Sequence, residues 1–420
     1  MKVLVAVDSP DGELLAAGIE REGVGVAAVV PASAVSLAAE DRMPGDEADA
    51  VVRALASADA VVVAASRAAI TAQAVALCDR AGVRVLAWGD DPDQRRLCET
   101  FGVAAPIARD TPPWRVVEAL REAPAPHDPA PARAPSGPRI ITVWGAGGAP
   151  GRTTVAIELA VELARGGRHV GLVDADTHGA SIALTLGLAD EGPGFAAACR
   201  QAQLGGLDAR ELTRISQPLG RGGVDVLAGV NRPSRWPELS AARVGAALAV
   251  CRDWADYTVV DVAASLERDE EIVSDLAGPR RNAATLAALE TADLVVAVVG
   301  ADPIGVSRFL RAYPELRSAA GDARVVVLAN RLRPGPLGID ARGQVRRTLD
   351  RFAGIDDVWF LPSDARAADA ALLAARPIAE AAPRSPLTAA IRRFAGEAVV
   401  PPPTAEPSRR RRAGRAEPAA

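Results

Sequence analysis

The sequence predicts an α/β protein, with mostly parallel sheets flanked by helices and two folded segments of unequal size. Three observations carry this. Continuous apolar strands alternate with helical patterns along most of the 420 residues, the pattern of parallel sheets covered on both faces. A proline- and alanine-rich run, "EAPAPHDPAPARAPSGP" from Glu122 to Pro138, breaks the alternation and has no helical or strand period. Finally, "RIITVWGAGGAPGRTTVAIELA" (139–160) sets a glycine-rich turn between a strand and a helix, and backbone N–H groups converging on a helix N-terminus hold anions.

The division that follows is a segment 1–121, a linker 122–138, a segment 139–398 and a tail 399–420. The tail, "PPPTAEPSRRRRAGRAEPAA" after Val400, is proline, charge and small residues, a composition that does not build a core. Its run Arg409 to Arg412 reads first as a solvated charge cluster. Composition narrows the function classes. Hydrophobic content of 49% and a net charge of −5 give no global case for nucleic-acid or membrane binding. No run of 18 apolar residues predicts a membrane span, and the N-terminus lacks the apolar core of a signal peptide. The four cysteines, Cys78, Cys98, Cys199 and Cys251, have no zinc spacing and read as reduced, buried thiols. A cytoplasmic protein is expected, with a peripheral place at the inner membrane face left open.

In the first segment "KVLVAVD" is a strand, "GELLAAGIERE" a helix and "GVAAVV" a strand. Then come "ADAVVRALASA" (helix), "DAVVVAAS" (strand), "ITAQAVALCDRAG" (helix), "VRVLAWG" (strand), and helices in "DQRRLCETFG" and "WRVVEALREA". In the second, "RIITVW" is a buried strand. "TTVAIELAVELARGG" repeats apolar residues at helical spacing and stops on glycines. A dinucleotide fingerprint G-x-G-x-x-G fails, because after Gly145 and Gly147 its last place falls on Pro150. The phosphate-loop pattern G-x-x-x-x-G-K-[ST] fits better: Gly151, Arg152 and Thr153 take its last three places, with Ala146 for the first glycine. Arg152 stands where that loop carries lysine; of 48 Lys+Arg, Lys2 is the only lysine. Downstream, "RHVGLVDADTHGA" ends a strand in Asp174 and Asp176, and "DYTVVDVAAS" ends another in Asp261. Ligands of such folds bind beyond the carboxyl ends of the strands. Three acids there, with the Thr153 hydroxyl, suit Mg²⁺ and an attacking water. Thr153 is expected to ligate the metal, with Asp174 and Asp261 holding it through waters and Asp174 or Asp176 orienting the water.

On these residues the second segment resembles the MinD/ParA group of P-loop ATPases, whose deviant Walker A motif reads K-G-G-x-G-K-[ST]-T. Laid on it, Gly147 takes the place of the signature lysine. Gly148, Ala149, Pro150 and Gly151 follow, then Arg152 at the Walker lysine and Thr153 and Thr154 at the hydroxyls. "VDAD" resembles the group's switch acids and "VVDVAAS" its Walker B strand. "VVVLANRLRPG" resembles the strand whose asparagine, here Asn330, reads adenine, and "FLPSDARAADAALLAARPI", with Pro362, the segment closing over the base. The first segment is similar to a degenerate response-regulator receiver domain. Asp8 follows its first strand, but Ala64 to Arg67 offer no aspartate to phosphorylate, and "IARDT" near Ile107 offers no lysine. A receiver-like domain before such an ATPase resembles the CpaE/TadZ branch.

The resemblance implies ATP and Mg²⁺ as ligands, catalytic work at Asp174, Asp176 and Asp261, and a nucleotide-dependent homodimer. It also implies protein partners in pilus, secretion or division machinery. Gly147 cannot reach a partner's phosphates as the signature lysine does, and Arg152 is planar and forked where lysine is a point charge. The expectation is therefore nucleotide binding with slow turnover at most. A non-hydrolysing scaffold and a DNA-associated partitioning ATPase stand as alternatives; membrane or DNA contact has no support in the sequence.

Overall fold

The computed structural model describes residues 1–122, 139–220, 223–268, 280–335, 338 and 340–400. The expected linker beyond Glu122 and the expected tail beyond Val400 lie outside them. In the first segment β1 (Lys2–Ala6), β2 (Gly25–Val30), β3 (Ala60–Ala64) and β4 (Arg84–Trp88) form a four-stranded parallel sheet in the order β2-β1-β3-β4. A single bridge from Trp88 to Ile107 adds to the β4 edge. The helices Asp11–Arg21 and Pro113–Arg121 cover one face, through Leu15, Ile19, Val116 and Leu120. Val35, Val51, Leu55, Cys78 and Cys98, from helices on the other face, pack into a second cluster. All four cysteines are free and buried. Asp8 accepts a hydrogen bond from the amide of Ala32 at 2.9 Å, tying the end of β1 to the loop after β2.

The second segment is an eight-stranded sheet built from β5 (Ile140–Gly145), β6 (Val170–Asp174), β7 (Gln217–Leu219), β8 (Val224–Leu227), β9 (Tyr257–Asp261), β10 (Leu294–Gly300), β11 (Arg324–Leu332) and β12 (Val358–Pro362). Its order is β12-β11-β10-β5-β9-β6-β8-β7, parallel except for the β7 edge. The central strands β5, β6, β9 and β10 are buried along their whole length, as strands covered on both faces must be. Helix Arg152–Ala164 and the C-terminal helices cover one face; helices including Ala241–Trp254 and Pro303–Ala320 cover the other. Two buried acids lock the first of these to the C-terminal region. Glu158 accepts the amides of Ile378 and Ala379, and Glu162 pairs with Arg392 at 3.0 Å. Val399, expected to begin the tail, is fully buried in this layer. No described helix is long and apolar enough to cross a membrane.

The carboxyl end of the N-terminal sheet docks on the larger segment. Arg67, just past β3, donates to the Thr213 carbonyl at 2.7 Å and the Ser216 hydroxyl at 3.0 Å, and pairs with Asp225 of β8. His169 Nε2 lies 2.8 Å from the same Asp225 carboxylate. The Gly223 amide donates to Asp93 at 3.1 Å, and Arg96 donates to the Gly167 carbonyl. Burial alone would raise Asp225, but His169 and Arg67 outweigh it and hold the carboxyl below its ordinary range. The loop that ends β3 is thus spent on an internal contact.

Candidate nucleotide-binding site

The site grows from the end of β5. Trp144 is fully buried, donates to the Ala264 carbonyl at 3.2 Å and packs on Phe309 with ring centroids 6.3 Å apart. Gly145 follows with no room for a side chain, because a Cβ would stand 2.5 Å from the Val298 carbonyl oxygen. The chain then turns through Gly148, Ala149 and Gly151 at φ 107°, 51° and 95°. Glycine tolerates this region freely, whereas Ala149 holds it at some strain. Helix Arg152–Ala164 starts immediately afterwards. Among the described residues, the amides of Gly148, Ala149, Gly151, Arg152 and Thr153 donate to no other group of the chain. Unpaired amides on a helix N-terminus are an anion cradle. Asn330 braces it from β11: its Nδ2 donates to the Pro150 carbonyl at 2.8 Å, and its Oδ1 accepts the Arg331 amide. Pro362 sits at the end of β12, paired with Leu332. Thr154 continues the helix beside Thr153. Gly147 is exposed, and a Cβ there would meet nothing within 4 Å.

Opposite the loop lie the three acids. Asp174 and Asp261 are each 1% exposed and Asp176 is 7% exposed. Both oxygens of Asp174 are occupied: one accepts the Asp176 amide at 3.2 Å, the other the amides of Ser181 and Ile182 at 2.9 and 3.0 Å. Asp176 accepts the amides of His178 and Gly179, and its other oxygen stands 3.5 Å from Arg152. Asp261 accepts the Thr153 hydroxyl at 2.6 Å with one oxygen, while its Oδ1 is buried with no partner. Burial, helped by the charge of Asp176, pushes Asp174 up to about 6 despite its amide bonds. Burial and Asp174 raise Asp261 well above the carboxylate range, against the Thr153 hydrogen bond and the charge of Arg152.

This acid set fits a hard cation. A buried, orphaned carboxylate oxygen beside a threonine hydroxyl is a donor pair lacking its charge partner. Among the described residues no group of three or more His, Cys, Asp or Glu could hold a metal on protein ligands alone. The remaining ligands of such a cation would be water and phosphate, as is usual for Mg²⁺. Arg152 is turned to the acids: its Nη1 donates to the Gly145 carbonyl at 3.1 Å, and its Nε is buried without a partner.

Three neighbours carried no signal in the motif reading. His178 Nε2 is 3.0 Å from the Asn282 side chain, tying the acid loop to residues near the helix Ala283–Thr291. Arg308 lies against Gly148, and Arg331 lines the same 230 Å³ cleft outside the loop. The first could have been suspected from its place two residues after Asp176. The other two are set by how β10, β11 and their helices pack.

Strand order, glycine loop and strand-end acids have the arrangement of an α/β P-loop fold, similar to that of a solved ParA family ATPase. A family model described as ParA: NUBPL iron-transfer P-loop NTPase matches residues 138–213, the stretch holding the loop, Asp174 and Asp176. A ParA family ATPase from Chlorobium tepidum TLS aligns with a TM-score of 0.51 and 18% identity, over 61% of this chain and 98% of that one. The septum site-determining protein MinD complexed with Mg-ADP, from Pyrococcus horikoshii OT3, aligns with a TM-score of 0.48 and 18% identity, over 61% and 94%. Apo McdA from Cyanothece aligns at 0.46 and 16%, over 61% and 100%. At this identity the likeness to the Chlorobium tepidum structure speaks for the fold alone. Comparison with curated proteins returns no match.

Proposed function

We propose that the chain is an ATP-binding spatial organiser of the MinD/ParA kind, with slow ATP hydrolysis at most. The observation that carries this is the facing pair of an amide-lined loop and a cluster of three buried acids, in which Asp261 Oδ1 is unpartnered. In this reading Gly148 to Thr153 cradle the phosphates. Thr153 holds Mg²⁺ directly, with Asp174 and Asp261 acting through water. Mg²⁺ when bound would neutralise phosphate charge. Asp176 would orient an attacking water, and Asn330 and Pro362 would border the base. A nucleotide-dependent homodimer and partners in pilus, secretion or division machinery belong to the same proposal, as does the CpaE-like assignment with a receiver-like N-terminal domain. The four-stranded order with Ile107 bridging at the place of a fifth strand supports that last point.

A second reading, a scaffold that binds nucleotide without turnover, is favoured by two observations: the bare Gly147 and an Arg152 engaged with Asp176. Thr153→Ala tests the site. It should leave the unliganded protein folded, with its melting temperature lowered by several degrees because Asp261 loses its one hydrogen-bond donor, and remove the Mg²⁺-dependent part of ATP stabilisation. An unchanged Mg²⁺ increment would show that the metal site lies elsewhere.

A further inference from the structure

We infer that Arg308 is a phosphate-binding residue of this site, reaching the terminal phosphate of a bound nucleoside triphosphate from outside the loop. The inference rests on the nucleotide-binding reading and adds to it a cation that no loop motif contains. The loop's own arginine is shared: Arg152 faces Asp176 and the Gly145 carbonyl and keeps its Nε for a ligand, so it supplies part of the charge a triphosphate needs. Arg308 is exposed, and among the described residues it forms no ion pair or hydrogen bond. Its guanidinium nonetheless rests on Gly148, close enough that a methyl group there would collide with it.

The placement is built. Helix Pro303–Ala320 opens with Asp302, whose carboxylate accepts the amides of Ile304 and Gly305 at 2.9 Å. Gly305 packs so closely on Gly300 that a Cβ would stand 2.6 Å from the Gly300 carbonyl oxygen. That contact holds the helix start against the end of β10, next to the loop. One turn on, the neighbouring Phe309 is fully buried against Trp144 of β5. The residue beside a buried anchor is therefore held at the loop's rim, where the cleft is lined by Ala146 to Pro150, Arg308 and Arg331. An unpaired guanidinium, whose planar fork matches phosphate oxygens, next to unpaired loop amides has one fitting ligand class, a polyphosphate.

The test compares ligands as well as variants, using the full chain. Wild type, Arg308→Ala and Arg308→Lys are titrated by calorimetry with ADP and with a non-hydrolysable ATP analogue, each with Mg²⁺. The inference predicts that Arg308→Ala weakens the triphosphate about ten- to a hundredfold, leaves ADP within about threefold, and keeps the unliganded melting temperature. Arg308→Lys should recover part of the loss. Equal loss for both ligands would overturn the terminal-phosphate assignment, and unchanged affinity for both would overturn the inference altogether while leaving the nucleotide reading intact. A wild type that binds neither ligand would instead overturn the nucleotide reading itself.

Discussion

Replacing Asp261 by asparagine should stabilise the empty protein and disable the site together. Asp261 and Asp174 are 1% exposed; burial raises the proton affinity of both, and the charge of Asp174 raises that of Asp261 further. At neutral pH the unfolded chain ionises both freely. The native state must either hold two buried like charges or take up a proton, and both options cost free energy. Asparagine removes that cost, keeps an oxygen for the Thr153 hydroxyl and places an amide where Oδ1 has no partner. The relief is that of the buried charge, on the order of 1–3 kcal/mol. At roughly 2–4 °C per kcal/mol for a domain of this size, the unliganded melting temperature should rise by several degrees. The same variant should lose the further rise that wild type gains from Mg²⁺ and ATP. Differential scanning calorimetry at pH 7.5, with and without ligand, measures both. A lower melting temperature for the empty Asp261→Asn protein would refute the argument, because it would mean that the carboxylate is paired and stabilising.

Three further outcomes follow from the same geometry. Arg67→Ala leaves Asp225 buried with His169 as its remaining side-chain partner and should cost up to about 3 kcal/mol, whereas Arg67→Lys should recover little, since a single ammonium cannot serve Thr213, Ser216 and Asp225 at once; chemical unfolding of the three proteins checks this. Asp174 at about 6, from an ordinary 3.8, and Glu158 at about 7, from 4.5, bind protons in the native state that the unfolded chain has released, so the stability of the empty protein should fall as pH rises from about 4 to 7. The Mg²⁺-dependent gain should grow as pH rises through about 6, because the cation needs Asp174 ionised; melting curves across pH 4.5–8 with and without Mg²⁺–ATP test both signs. Gly147→Lys meets open space and should fold normally and raise phosphate release above wild type, whereas an unchanged rate would show that the missing charge at this position is not what limits turnover.

Much of the scaffold was legible because its signal is local. The runs "KVLVAVD", "DAVVVAAS", "RIITVW" and "DYTVVDVAAS" have continuous apolar centres and became buried parallel strands. The edge strand β7 and its neighbour β8 escaped notice: three and four residues among glycines, in "QPLGRGGVDVLAG", give no period to read. The six-residue helix Ala34–Ala39 escaped for the same reason. At the site, spacing alone predicted that Thr153, Asp174 and Asp261 face one pocket, since each closes or follows a strand. Spacing could not say that Arg152 turns toward Asp176, that Asn330 braces Pro150, or that Arg308 reaches Gly148. Those contacts depend on side-chain direction and on which helix packs beside the loop. Nor could it show Arg67 seated on Asp225, a contact between residues 158 positions apart.

The central claim is that this loop holds a nucleotide with arginine in the lysine's place. Titrating the full chain with Mg²⁺–ATP, while following its melting temperature, tests it most directly. The account predicts saturable binding, with a stabilisation of about 2.7 kcal/mol at a ligand concentration 100-fold above Kd, abolished by Arg152→Ala and kept by Arg152→Lys. No heat and no shift with either ATP or ADP at millimolar concentration would contradict it.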